Sequence, residues 1–353
     1  MTSHLVRRRA AGVILLLALS STAVACGSAG ATRSATSSAS GSAASVAGVP
    51  PGTVLRVGDQ GQFLKTLLQT SGQLQGAPYK VEFAQFGSGP LVNAAFTAHN
   101  IDVGFMGDTP ASATVSGGIP VKAVAIGQYS GPVSVLEARP GITTVADLKG
   151  KKVAFTTGTA QHALALRALA TAGLKQADVE QVDVPLNQLG TVLASGQVDA
   201  AVIGAADVIK YKAAHADAVT LAGSDTLQPP AYLYFLATQS ALADAGQSAA
   251  VFDLVGRVVR SENWIATHQS DWVDAYYVGV NHQDPAVARQ LIAFGGTATF
   301  VELTPDVQRA EQQVVELLVQ AGAVKTSFDV GPLYDPKATS TYNALIKEIG
   351  TND

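Results

Sequence analysis

The stretch IDVGFMGDTPASATVSGGIPVKAVAIGQY, residues 101–129, decides the fold. Ile101 to Met106 is a short apolar run and predicts a strand. Gly107-Asp108-Thr109-Pro110 then puts a proline where a helix accepts one, in its first turn. The helix stops at Gly117-Gly118, and Val121 to Tyr129 is a second apolar run. Strand, helix and strand at this spacing make a βαβ unit.

The same alternation extends to both sides. Upstream, Val54 to Val57 reads as a strand and Phe63 to Leu74 as a helix. Val81 to Phe86 is a strand that ends in Gly87-Ser88-Gly89-Pro90, the start of a helix running to about His99. This order predicts a parallel sheet with helices on both faces. Downstream, a second unit starts near Ile142. Lys151 to Thr156 is a strand, Gly158-Thr159 opens a helix that Gly173 ends, and Val179–Val184, Asn187–Ser195 and Val198–Ile203 repeat strand, helix, strand. Val133–Ala138 and Ala231–Thr238 are extended apolar segments flanking this unit, and they read as two crossings between lobes. After Ser240 the chain is mostly helical, over 247–267, 285–294, 305–321 and 338–348. The expected fold class is α/β, two-lobed and hinged by two crossing strands. The expected division is 53–134 and 236–353 for lobe I, and 135–235 for lobe II.

The N-terminal region carries an address. Arg7, Arg8 and Arg9 precede an apolar run, Ala10 to Leu19, too short to span a bilayer. Ala23-Val24-Ala25-Cys26-Gly27 follows and looks like a bacterial lipobox, in which Cys26 becomes the lipidated first residue. Residues 1–25 are then a signal peptide, and the arginine run is a weak twin-arginine signal. Their loss, three arginines and no acids, takes the net charge from −4 to −7. Residues 26–52 read as the lipidated cysteine and a flexible tether. Its 24 residues 27–50, with Arg33 the one charge, reach roughly 27 Å. A lipid anchor and a loose tether would hold a soluble domain at the outer face of the cell membrane.

Composition excludes several classes. The 353 residues are 47% hydrophobic and 14% charged, so most of the chain has a core to bury. A net negative chain without clustered Lys and Arg is a poor match for nucleic acid. One cysteine excludes an internal disulfide framework and cysteine-rich zinc sites. The histidines and carboxylates show no metal spacing. The chain contains no Gly-x-Ser-x-Gly elbow, P-loop or dinucleotide fingerprint, so no cofactor and no catalytic residue is expected.

Three turns carry candidate binding chemistry: 87–90, 107–110 and 157–160. Each puts small or hydroxyl residues at a helix N-terminus, where free N–H groups and the dipole favour an anion. Ser88, Thr157 and Thr159 add hydroxyls. The first two turns lie in one lobe and the third in the other. Helix capping is the simpler explanation of any single turn, and three such turns together point to a ligand site. Asp108 reads as a carboxylate that orients its own loop, or as the partner of a cationic group on a zwitterionic ligand. His162, in the first turn of its helix, faces either the cleft or solvent.

These residues together resemble a family. Gly87-Ser88-Gly89-Pro90, Ile101-Asp102-Val103-Gly104 and Gly107-Asp108-Thr109-Pro110 are similar to substrate-binding proteins of aliphatic sulfonate, taurine and nitrate ABC importers. So are Val145-Ala146-Asp147-Leu148-Lys149-Gly150-Lys151-Lys152-Val153-Ala154-Phe155, Gly158-Thr159 with His162, Leu166-Arg167-Ala168-Leu169, Ala172-Gly173-Leu174 and Gly196-Gln197-Val198-Asp199-Ala200. The resemblance covers roughly Val54 to Ala237. It implies a periplasmic-binding protein type 2 fold, with an anion such as a sulfonate held between the lobes. The ligand-binding residues it implies are Gln60, Ser88, Gly89, Asp108, Thr109, Thr157, Gly158, Thr159, His162 and Ala205. The implied partners are an ABC permease and ATPase, for a protein acting as a monomer. Alternative ligands are nitrate or a thiamine precursor, and an alternative role is a pyrimidine-precursor synthase on the same fold. Sulfonate binders of this group carry an aromatic segment after the fourth strand of the inserted lobe. Here that segment is Gly204-Ala205-Ala206-Asp207, which leaves room for a bulkier organic group.

Overall fold

The computed structural model describes residues 48–223, 226–227 and 231–350. The segment 1–25, Cys26 and the tether as far as residue 47 lie outside the described residues.

The chain runs β1 (Val54–Gln60), α1 (Phe63–Thr70), β2 (Lys80–Phe86), α2 (Gly89–Thr97), β3 (Val103–Gly107), α3 (Asp108–Ser116) and β4 (Val121–Tyr129). It passes to a second layer with β5 (Ser134–Ala138), β6 (Lys152–Ala154), α4 (Ala160–Thr171), β7 (Glu180–Val182), α5 (Leu189–Ala194), β8 (Ala200–Gly204), α6 (Ala205–Ala214) and β9 (Val219–Gly223). It then returns through β10 (Leu233–Thr238) to α7 (Gln239–Ala243), α8 (Ala245–Thr267) and α9 (Gln269–Trp272). The last of these continues as a π-helical stretch, Val273–Val280. The C-terminal elements are α10 (Pro285–Gly295), β11 (Ala298–Phe300), α11 (Pro305–Gln320) and α12 (Pro336–Gly350).

Two sheets result, giving a two-lobed α/β fold. The first has the order β11-β4-β10-β3-β1-β2, and the second β7-β6-β8-β5-β9. The sequence order predicts parallel sheets, but both are mixed. Strands β2, β1 and β3 are parallel, while β10 lies antiparallel between β3 and β4. In the second sheet β5 is antiparallel to both β8 and β9. The reason is the path of the chain. A strand that returns from the other sheet enters this one from the opposite end.

The two apolar runs expected to cross between lobes are themselves interior strands. All five residues of β5 are buried, as are five of the six in β10. A run buried on both faces belongs inside a sheet. The chain changes sheets at Ser130–Val133, just before β5, and again between the end of β9 and the start of β10.

Period-two alternation builds the core of the second sheet on both faces. Leu136, Ala138, Ala200 and Val202 face α4 residues such as Leu166 and Leu169. Val135, Ala201 and Ile203 face Leu193 of α5 and Val208 of α6. The first sheet has its own core around Leu55, Val57, Val124 and Leu236. Helix α11 joins the two. Val307 packs into the first core, and Val314 and Leu318 pack into the second. No described helix is long and apolar enough to cross a membrane.

Candidate functional site

Between the sheets lies a cavity of about 280 Å³. On the first sheet's side it is lined by Gln60 at the carboxyl end of β1, Phe63 of α1, Gly89 of α2, and Phe105 and Gly107 of β3. The second side contributes Ser134 of β5 and one end of α4, through Thr159, Ala160, Gln161, Leu164 and Arg167. The α4 positions follow a helical face, at i, i+1, i+4 and i+7. Tyr129, Val133 and Tyr232 enclose the cavity where the chain changes sheets, and Tyr276 borders it from the π-helical stretch. Carboxyl ends of strands facing a crevice are where open α/β sheets take ligands.

The three turns do face one another. A Cβ built on Gly107 would stand 2.7 Å from the Ala160 Cβ, so the start of α3 touches the start of α4. A Cβ built on Gly158, at φ +74°, would stand 3.7 Å from Pro90 Cγ of α2, so the third turn lies beside the first. Gly89 cannot carry a side chain either, since a Cβ there would stand 2.5 Å from Pro110 Cγ. Its glycine therefore serves the packing of α2 on α3 as well as the cavity wall.

Gln60, Gly89 and Thr159 line the cavity. Ser88 is half-buried at the N-cap of α2, and its hydroxyl makes no capping bond. Thr109 is buried and donates through N–H and hydroxyl to Asp108 Oδ1 at 2.6 and 3.1 Å. Asp108 thus orients its own turn. Thr157 is exposed, accepts from Gln181 Nε2 and donates its N–H to Asp183. Ala205 lies outside the cavity, in an adjoining hollow bounded also by Tyr129, Val133 and Tyr276.

Two expectations are corrected. His162 faces neither cleft nor solvent. It is buried, stacked on Phe155 at 5.0 Å, with Nδ1 accepting from the Gly158 N–H and Nε2 beside Gln176 Oε1 at 3.1 Å. That pattern fits a neutral ring, and burial lowers its pKa. Helix direction explains the difference, because the first-turn position that meets the cavity belongs to Gln161. Thr159 lines the cavity, yet its hydroxyl donates to Thr156 O at 2.7 Å and accepts from His162 N at 3.4 Å. It caps α4, and its proton is engaged.

Sequence reasoning missed Arg167 as a site residue. It is the one cation among the described residues lining the cavity, and it is 4% exposed. The signal was available, as a lone charge in the apolar helix AQHALALRALAT, seven residues after Ala160. Arg167 Nη1 stands 3.7 Å from Asp108 Oδ2, and Glu311 of α11 shares this buried cluster. Burial, then the charge of Asp108, raise Glu311 well above the usual carboxylate range. Neither Glu311 oxygen has a hydrogen-bond partner of normal geometry, though the hydroxyls of Tyr234 and Ser112 lie near and favour ionisation. Burial thus favours the protonated form of Glu311 beside the Asp108–Arg167 pair. The cluster draws one residue from each of α3, α4 and α11.

Known proteins share this architecture. The alkanesulfonate-binding protein SsuA from Xanthomonas axonopodis pv. citri superposes with a TM-score of 0.72 at 23% identity, over 81% of this chain and 99% of that one. The periplasmic aliphatic sulphonate binding protein SsuA from Escherichia coli gives 0.70 at 23%, over 80% and 92%. In sequence, 151 residues are 34% identical to a "Putative aliphatic sulfonates-binding protein" of Escherichia coli (strain K12). That stretch is 41% of this chain and 47% of the relative, so the match spans about half of the relative's length. Residues 76–269, over half of the chain, match the family described as NMT1/THI5 like, and the chain belongs to that family.

Proposed function

We propose that the protein is an extracytoplasmic solute-binding lipoprotein of an ABC importer, holding a small organic anion, most of all a sulfonate, between its lobes. The observation that carries this reading is Arg167, the cation lining a cavity whose walls are otherwise aromatic, apolar or uncharged. A guanidinium is always charged and suits the oxygens of an anion. The start of α4 adds to it. Ala160 and Gln161 line the same cavity, and first-turn N–H groups have no helical acceptor. With a net charge of −4 the chain as a whole repels anions, so affinity must come from these local groups.

The sulfonate-binding relatives support the ligand class. Binding rather than catalysis is the reading, because Cys26 lies far in sequence from the cavity residues and His162 is spent inside the second lobe. The division into 53–134 with 236–353 and 135–235 gives the two jaws of a clamp, which close on the ligand and present it to a permease and its ATPase. The protein acts as a monomer, held at the outer face of the membrane by lipid on Cys26.

Calorimetry with sulfonates, sulfate esters, nitrate and thiamine precursors tests the assignment. A sulfonate should bind in the micromolar range or tighter. Tight binding of nitrate or a thiamine precursor, with every sulfonate silent, overturns it.

A further inference from the structure

The cavity is unusually aromatic for this chain. Five of its eighteen lining residues are Phe63, Phe105, Tyr129, Tyr232 and Tyr276, whereas aromatics are 6% of the sequence. Phe63 stands at the centre of this wall. Its ring is 5.9 Å from Phe105, tilted, and 5.5 Å from Tyr276, edge to face. Trp272, buried and not among the cavity's lining residues, stacks on Tyr276 at 4.7 Å and meets Phe63 edge to face at 5.5 Å, arrangements that aromatic groups prefer. The π-helical stretch that carries Tyr276 is a rare element, and such stretches occur mostly at functional positions.

The lining polar groups are largely committed within the protein. Gln60 Nε2 donates to Phe105 O at 2.7 Å, Thr159 donates to Thr156 O, and Gln161 Nε2 donates to Ser134 Oγ at 3.2 Å. A ligand rich in hydroxyls would find few partners here. Size points the same way. The cavity's roughly 280 Å³ is close to the lower end, about 300 Å³, of sites that take drug-sized ligands. A one- or two-carbon sulfonate would leave most of it empty. The adjoining hollow of about 360 Å³ shares Tyr129, Val133 and Tyr276 with it. Its far wall is Gly204, Ala205 and Ala206, residues too small to fill it.

We propose that the ligand is an arene-bearing organic anion, its ring held among Phe63, Phe105, Tyr129 and Tyr276 and its larger substituents directed past Tyr276 toward Ala205. The proposal rests on the anion-binding reading above and adds the chemical class of the group that the anion carries.

Calorimetry on the purified protein tests it with five probes. These are methanesulfonate, butane-1-sulfonate, benzenesulfonate, naphthalene-2-sulfonate and the uncharged naphthalene-2-methanol. Naphthalene-2-sulfonate should bind at least tenfold more tightly than butane-1-sulfonate, since each further buried carbon contributes up to about fourfold. Tyr276→Ala should weaken the naphthalene compound by about tenfold and butane-1-sulfonate by less than threefold. With a sixth compound added to the series, Ala205→Leu should weaken 4-hexylbenzenesulfonate while sparing benzenesulfonate. Short sulfonates that bind as tightly as the arenes overturn the proposal and leave the anion reading intact. Naphthalene-2-methanol binding as tightly as the sulfonate overturns the anion reading instead. Silence from all four sulfonates overturns both. The probe series needs no variant, so a Tyr276→Ala chain that fails to fold still leaves a decisive result.

Discussion

Gly107 and Ala160 meet across the two lobes, with room for a glycine and for nothing larger. The Cβ that Gly107 lacks would stand 2.7 Å from the Ala160 Cβ. Gly107 ends β3 and precedes the first turn of α3, and Ala160 opens α4. The contact forms only when the lobes are together. Gly107→Ala should therefore hold them apart at a cost of about 1–3 kcal/mol to the closed state, the usual range for overpacking. Ligand affinity should fall about five- to a hundredfold, with the melting temperature of the ligand-free protein within a few degrees of the parent. Small-angle scattering should show the parent contracting on ligand addition and the variant contracting less. Equal contraction in both would show that this contact does not limit closure.

Arg167 sits between the ligand cavity and Asp108, so its replacement acts on two quantities. Arg167→Met should cost about 3–5 kcal/mol of stability, because it leaves the Asp108 carboxylate buried without its cation. It should also weaken sulfonate binding by thirtyfold or more, within the roughly 2–5 kcal/mol found for one partner of a buried charge pair. Adding Asp108→Asn should recover much of the stability and none of the affinity. Chemical denaturation and calorimetry on the single and double variants separate the two effects. Recovery of binding in the double variant would mean that Arg167 serves only the fold.

Two buried acids set a pH dependence. Burial pushes the Glu262 carboxyl of α8 up to about 8, and raises Glu311 well above its usual range. A carboxyl whose folded pKa is raised binds its proton more tightly in the native state. Its contribution is complete below the unfolded value, about 4.3, and is lost as pH rises through the folded value. Between those limits stability should fall with pH, by up to about 1.4 kcal/mol per unit for one such group. Glu262→Gln should match the parent near pH 4 and exceed it in melting temperature at pH 8–9. A variant less stable than the parent at pH 9 would show that Glu262 is ionised and paired in the folded state.

Much of the fold was legible because apolar runs and caps coincide. Val121 to Tyr129 is β4 to the residue, and the proline starts at Pro285 and Pro305 open α10 and α11. Strand direction was not legible, since the antiparallel insertion of β10 depends on the path the chain takes outside it. Strand β11, of three residues, pairs only with the end of β4, and no local pattern marks so short an element. Of the proposed site residues, Gln60 and Gly89, taken from the family resemblance, and Thr159, taken from its place at a helix start, line the cavity. Arg167 lies eight positions into a helix, and only the facing of α4 brings it to the cavity. His162 was misplaced because sequence position within a first turn does not fix which neighbour turns inward.

The proposed lipid anchor rests on Cys26, the one cysteine of the chain, in a lipobox-like stretch. Cys26→Ala should leave ligand affinity and melting temperature unchanged and release the protein from washed membranes. Retention of the variant in the membrane fraction would show that something other than lipid on Cys26 holds it.

Thr159 and Ser88 occupy equivalent places at the starts of α4 and α2, yet their hydroxyls differ. Thr159 Oγ1 donates to Thr156 O at 2.7 Å and accepts from the His162 N–H at 3.4 Å. With its proton engaged it has none to offer a ligand oxygen. Ser88 makes no capping bond in α2. Thr159→Ala should therefore lower stability by about 1 kcal/mol, the usual worth of an N-cap, and change affinity by less than threefold. Thr159→Ser should restore it. Ser88→Ala should do the reverse, with stability nearly unchanged. A Ser88 hydroxyl that contacts the ligand makes affinity fall by about five- to a hundredfold, the range for one lost hydrogen bond to a buried group at about 1–3 kcal/mol. Denaturation and calorimetry on the same preparations supply both numbers for each variant. A Thr159→Ala protein of parental stability with tenfold weaker binding would place the ligand on the Thr159 hydroxyl and return that residue from cap to ligand donor.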